Sequence, residues 1–180
     1  MAPGIYVVPI LDPPHDLIQA VVLRFRDVFD ATVEITLPSF DARTAHDNVR
    51  GQYNSTSLLV NLLEMLPDPD SRIVGFTNVD LFIPILTFVF GEAQLDGPAA
   101  VVSSCRLHNQ FYGLPGDFDL LVERLEKECL HEVGHTSNLT HCDSYDCVMH
   151  SSTSVEEIDI KGRTFCRTCR ESMNGDLFDR

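Results

Sequence analysis

The apolar residues of this chain fall into short dense runs, separated by longer stretches in which they recur every three or four positions. "GIYVVPI" (4–10) and "ATVEITLP" (31–38) are β-rich runs. Between them, "HDLIQAVVLRFRDVF" (15–29) carries its apolar residues at helical spacing, with Asp16 near its start. Strand, helix, strand predicts a β-α-β unit and so a parallel pair. After a polar stretch (39–54), "STSLLVNLLEML" (55–66) reads as a second helix ended by "PDPD", and "RIVGFTN" (72–78) as a third strand. "DLFIPILTFVFGEAQLDG" (80–97) alternates poorly and contains Pro84, which suits an edge strand or an irregular crossing. "PAAVVSSCRL" (98–107) supplies a further strand. The longest helical pattern, 115–137, has Asp117 as its cap and acidic residues in its first turn. Its stripe of Val122, Leu125, Cys129 and Val133 is expected to face the core, with His131 and His135 on roughly the opposite side. From Leu139 onward periodicity fades. The expected class is α/β: a twisted, mostly parallel sheet with an edge strand and one long helix.

At 180 residues the chain suits one compact domain. Two parts are expected within it, 1–138 with the sheet and long helix, and a smaller subdomain at 139–180. Asp and Glu outnumber Lys and Arg by 27 to 13, a formal charge of -14, which opposes binding to nucleic acid or an anionic membrane. Such acidity suits a solvated surface or the attraction of basic substrates, and decides neither. No apolar run approaches a membrane span. The opening segment lacks a basic region and its apolar run is broken by Pro9 and Asp12, so it does not read as a signal peptide and a cytoplasmic location is expected.

Candidate chemistry begins at "HEVGHTSNLTHC" (131–142). His131 and His135, four apart on a helix, can present imidazoles to one metal. Glu132 between them is not needed to hold zinc, whereas hydrolysis needs a carboxylate that accepts a proton from the attacking water. His141 reaches the same metal only if the helix ends near Ser137 and the chain turns sharply. Asn138 stands where that turn is needed. After glycine, asparagine most readily takes positive φ.

Four cysteines cluster further on. Cys142 and Cys147 (C-x4-C) with Cys166 and Cys169 (C-x2-C) suit a closed tetrahedral zinc site of four thiolates. Polar segments such as "DSYDC" and "GRTFCRTCR" do not bury thiols without such a reason. Lys161, Arg163, Arg167 and Arg170 are placed to balance the negative charge of four thiolates. Cys105 and Cys129, alone among apolar neighbours, read as buried core thiols.

The pattern H-E-x-x-H-x-x-(N)-x-x-H, followed by "CDSYDCVM" and "FCRTC", resembles the archaemetzincin family of the metzincin clan. The clan's glycine is replaced here by Asn138. The resemblance implies a zinc metallopeptidase of metzincin-like fold that takes peptide substrates. Its catalytic zinc would be held by His131, His135 and His141, with Glu132 as general base. It also implies that Met149 supports the zinc histidines from a methionine-bearing turn. Residues 86–95 are the candidate sheet edge along which an extended substrate would lie. Two zinc ions per chain are then expected, one catalytic and one structural, in a monomer. The alternative is a zinc- or peptide-binding module that keeps the fold with weak or no turnover. No Tyr or second His is assigned from the sequence as a transition-state donor, although Tyr145 and His150 lie nearby in the chain and His150, next to Met149, could approach the cleft.

Overall fold

The apolar runs become the centre of a five-stranded sheet in the computed structural model of the protein, which describes residues 4–173. In chain order the elements are β1 (Gly4–Ile10), α1 (His15–Val28), β2 (Thr32–Ile35), β3 (His46–Asp47), β4 (Gln52–Asn54), α2 (Ser55–Glu64), β5 (Arg72–Thr77), β6 (Leu81–Phe82), β7 (Gly91–Ala93), β8 (Ala99–Ser103), α3 (Phe118–Thr136), α4 (Val155–Ile160) and α5 (Arg167–Ser172). The sheet order is β2-β1-β5-β8-β7. All neighbours are parallel except β7, which runs antiparallel to β8 at the edge.

The central strands are buried on both faces, which is why they read as continuous apolar runs and not as alternation. Alternate residues serve two layers. Val7, Val74, Phe76, Ala100 and Val102 pack with α1 and α3, whereas Val8, Ile73, Ala99 and Val101 pack with Leu58, Leu59 and Leu62 of α2. In α1 the buried residues Leu17, Ile18, Val21, Val22 and Phe25 form one helical face. Caps set the helix starts: Asn54 accepts from the Ser57 N–H and Asp117 from the Leu120 N–H.

Two expectations change. The polar stretch 39–54 is not plain loop: β3 and β4 pair as a hairpin with Gly51 at φ 66° in its turn, and β4 joins β6 in a second, three-stranded sheet. Nor does α3 keep its histidine side clear of the interior. Arg124, Lys127, Glu128, His131 and Glu132 are buried along with Leu125, Cys129 and Val133, because the chain after Leu139 folds over that side. The buried residues Leu139, Val148, Met149, Ile158 and Phe165 join the same apolar cluster as β1, α1 and α3. Among the described residues no helix is long and apolar enough to cross a membrane.

Candidate active site

The two histidines of α3 are oriented by backbone that arrives from outside the helix. The Nδ1 of His131 lies 2.9 Å from the carbonyl oxygen of Val148, and the Nδ1 of His135 lies 2.7 Å from that of Leu139. A carbonyl only accepts, so each Nδ1 carries the proton and, in the neutral ring, each Nε2 presents a lone pair. Those two Nε2 atoms are 3.1 Å apart. The His141 ring sits 5.3 Å and 5.1 Å from the other two, centroid to centroid, and one ligating nitrogen of each ring falls within 4.8 Å of the others. Nitrogens held tetrahedrally at the usual zinc distance are about 3.3 Å apart. Converging lone pairs repel without a cation between them, so the donor set fits zinc.

His141 reaches this place because α3 stops abruptly. The Asn138 N–H donates to the His135 carbonyl and the Leu139 N–H to the Gly134 carbonyl, each at 3.1 Å, with Asn138 at φ 65°. This pairing closes a helix on a left-handed residue. It also brings the Leu139 carbonyl onto the His135 ring, so one turn orients one histidine and delivers the next.

Glu132 is buried against the edge strand. A Cβ on Gly91 would stand 2.7 Å from its Cγ and 2.8 Å from its Oε1, so the close approach of β7 to α3 requires glycine there. Met149 is fully buried against Gly134 of α3, where a Cβ on the glycine would stand 2.4 Å from its Sδ.

Burial dominates the electrostatics. It lowers the proton affinity of His131, His135 and His141, helped by the Lys161 charge, so all three tend to stay neutral and able to ligate. Burial raises the pKa of Glu132 well above the usual carboxylate range; Glu128 and Glu92 raise it further, while Lys161 opposes them.

The histidines and Glu132 open onto a cleft of about 670 Å³ between β7 and α3, with 86–93 along one wall and 151–153 along the other. Tyr145 and His150 do not line it. Their ring centroids are 4.0 Å apart with the planes tilted by 37°, and His150 Nδ1 is tied to the Cys142 carbonyl at 2.9 Å.

Cys142, Cys147, Cys166 and Cys169 come together on the far side of this segment, with no disulfide among the described cysteines. Their sulfurs approach to 3.6 Å for Cys147 and Cys169 and 4.0 Å for Cys142 and Cys166. Four thiolates around one zinc stand about 3.8 Å apart, so this donor set fits too. The expected charge balance by basic side chains changes. Lys161 pairs with Glu128 (2.7 Å), Arg163 with Glu126 (2.9 Å) and Arg167 with Glu171 (2.7 Å). Backbone amides serve the sulfurs instead, among them the Cys166 N–H at 3.3 Å from Cys147 Sγ. Cys129 is buried in the core, as expected, whereas Cys105 is only partly buried, in a 3-10 turn.

The model of peptidase family M54 matches residues 10–175. The chain belongs to that family, the archaemetzincins. It is 38% identical to the archaemetzincin of Methanocaldococcus jannaschii over 94% of this chain and 92% of that one. Crystal structures of archaemetzincins from Archaeoglobus fulgidus and Methanopyrus kandleri superpose with TM-scores of 0.81, at 35% and 36% identity; each alignment covers 94% of this chain, with 99% and 92% of theirs. This archaemetzincin is thus a zinc metallopeptidase acting on peptides.

Sequence reasoning missed several of the archaemetzincin's site residues. Gly91 and Gly134 matter because of what approaches them, and nothing local in the sequence signals that. Glu128 was detectable in principle, since it lies one turn before Glu132 on the same helix face. Its partner Lys161 is 33 residues away and could be found only from the fold.

Proposed function

We propose that this archaemetzincin hydrolyses peptide bonds with His131, His135 and His141 holding a zinc ion and Glu132 acting as general base. The observation that carries the reading is the convergence of two Nε2 atoms to 3.1 Å while both Nδ1 atoms are engaged by carbonyls. A structural partnership between histidines would use one donor and one acceptor. When bound, zinc supplies a lowered pKa to the attacking water and polarises the scissile carbonyl. Glu132 takes the proton of that water and returns it to the leaving amine. Its burial supports the role, since a carboxylate in an apolar wall holds a proton more readily than one in water. The open edge of β7, paired on its other side to β8, offers backbone groups to an extended peptide. Leu139 and Val148 fix the tautomers of the histidines through their carbonyls.

We further propose that Cys142, Cys147, Cys166 and Cys169 hold a second, structural zinc, so that two ions are bound per chain. The segment 139–180 would then form a small subdomain stabilised by metal; its residues 174–180 lie outside the described part. Met149 supports the histidines from below through its contact at Gly134.

The test is Glu132→Gln, with Glu132→Ala beside it. Both should keep two zinc ions by elemental analysis and native circular dichroism, and lose turnover of a peptide library by at least about 100-fold. Turnover at the wild-type rate would remove Glu132 from the mechanism.

A further inference from the structure

The edge-strand wall of the cleft begins before β7, in chain that has no ladder of its own. Residues 83–88 follow β6 as irregular structure, framed by the Leu86 N–H on the Ile83 carbonyl (3.1 Å) and the Val89 N–H on the Leu81 carbonyl (2.9 Å). The carbonyls of Leu86 and Thr87 are held instead by side chains of the β3–β4 hairpin. Arg50 Nη2 donates to the Leu86 carbonyl at 2.7 Å and to the Thr87 carbonyl at 3.1 Å, and the amide of buried Gln52 donates to the Thr87 carbonyl at 3.1 Å. Arg50 is in turn fixed by Gln52 Oε1 (3.1 Å) and by the Phe82 ring, 4.1 Å from its guanidinium. Charge-assisted bonds to two successive carbonyls set the local backbone, and with it the placement of the Leu86 side chain.

What this wall offers a ligand is apolar. Leu86 lines the cleft and is 49% exposed, so it is open to contact, whereas Phe88 has the Arg106 guanidinium over its ring at 4.1 Å and Phe90 is buried. Glu92, the one charged residue between 86 and 93, accepts from the hydroxyls of Ser55 and Thr56 at the start of α2. Arg50 does not itself line the cleft, so it acts on a substrate only through the wall it holds. A leucine tethered in this way is already ordered, and a ligand that packs on it need not meet the entropy of ordering a loose loop. We propose that Leu86 determines specificity for a large aliphatic side chain of the peptide substrate, and that Arg50 is the positioning residue that holds Leu86 at that subsite. This rests on the peptidase reading above and names its substrate class.

The test reads binding apart from turnover, so that the subsite and the peptidase reading can fail separately. Capped alanine peptides with a single Leu, Asp or Lys are titrated by calorimetry into zinc-loaded Glu132→Ala. The Leu peptide should bind at least about tenfold more tightly than the other two, from the burial of one aliphatic side chain. The net charge of -14 works against that order, since it favours Lys. In the same background Leu86→Asp should put the Lys peptide first. Ile85→Asp, which adds the same charge one residue away at a side chain that does not line the cleft, should keep Leu first. Arg50→Met should lower the Leu-over-Asp ratio by at least about threefold, and Arg50→Lys, which keeps a cationic donor for the carbonyls, should fall between it and Arg50. A merely structural loss would weaken all three peptides alike and leave that ratio unchanged. Leu86 and Ile85 are exposed, so their variants should fold even if those at Arg50 do not. Equal affinities, or Leu still first in Leu86→Asp, overturn the subsite even if the wild type is an active peptidase. A reversal in Ile85→Asp as well assigns the effect to charge alone and overturns it too, and an unchanged ratio in Arg50→Met overturns the positioning role. A Leu preference that is lost in Leu86→Asp alone supports the subsite even if the wild type cleaves nothing.

Discussion

The histidine and cysteine clusters are neighbours in the chain, His141 directly before Cys142, yet they are held by different means. Two of the three histidines ride on α3, a 19-residue helix packed into the main core, and each of those rings is fixed by a backbone carbonyl. The cysteines come from irregular chain and from one short helix, with Cys166 at the N-cap and Cys169 within α5. The backbone bonds that frame them belong mostly to turns: Cys142 N–H to the Met149 carbonyl, Cys147 N–H to that of Ser144, His150 N–H to that of Cys147, Val148 N–H to that of Thr164, Gly162 N–H to that of Tyr145, and Arg170 N–H to that of Cys166. The first cluster is therefore made by the fold. On the two-zinc reading proposed above, the second would help make the fold where regular structure is sparse.

Breaking the second cluster should have the largest effect. Cys166→Ser removes one of four sulfurs from a segment with little ladder structure, so the expected loss is one of two zinc ions and more than about 4 kcal/mol of stability, in the range of lost structural metals. Urea unfolding with elemental analysis reads both, and hydrogen exchange should show 139–173 opening before the sheet. Because that segment carries the Val148 carbonyl and His141, turnover should fall with it. If Cys166→Ser kept its zinc count and its denaturation midpoint, the contrast between the clusters would disappear.

A smaller effect tests how closely the histidine cluster depends on helix packing. Gly134→Ala would ordinarily stabilise a helix by about 1 kcal/mol. Here the new Cβ would stand 2.4 Å from Met149 Sδ and 3.0 Å from Phe165 Cε1, and Met149 is fully buried with nowhere to retreat. Overpacking of this kind costs about 1–3 kcal/mol, so the net change should be destabilising. The double variant Gly134→Ala/Met149→Ala should show favourable coupling, since the shortened side chain vacates the space. Additive losses in that thermal-unfolding cycle would mean that the two residues do not press on each other.

What could be read from the sequence follows the same division. Regular elements announce themselves by period, so β1, α1, α2, β5, β8 and α3 were all legible, as was the edge character around β7. The small sheet was not, because β3 and β4 are two and three residues long and the stretch is polar throughout. Spacing brought out the three histidines and four cysteines as groups, and the structure brings each group together. Charge partners were misjudged. Lys161 reads from its neighbours as a counter-ion for the thiols, but its partner is Glu128 of α3, a choice made by how α4 packs on α3. Likewise the buried histidine face of α3 could not be inferred from α3 itself, since the covering chain has no periodicity to announce it.

The smallest predicted effect concerns the residue that joins the two regions. Asn138, at φ 65°, ends α3 and turns the chain toward His141. In that conformation glycine has no steric penalty, asparagine a small one, and a β-branched residue a large one. Glycine also loses more conformational entropy on folding, which offsets its steric advantage. Asn138→Gly should therefore unfold within about 0.5 kcal/mol of the wild type. Asn138→Val should lose about 1–3 kcal/mol, the range for a strained backbone residue. The loss should also appear in zinc affinity at the histidine site, measured by chelator competition, because the same turn sets the Leu139 carbonyl on His135 and delivers His141. The cysteine-bound zinc should be released at the same chelator concentration in all three proteins. If the valine variant weakened both sites equally, the turn would belong to the two regions alike, and the histidine cluster would be no more independent than the cysteine cluster.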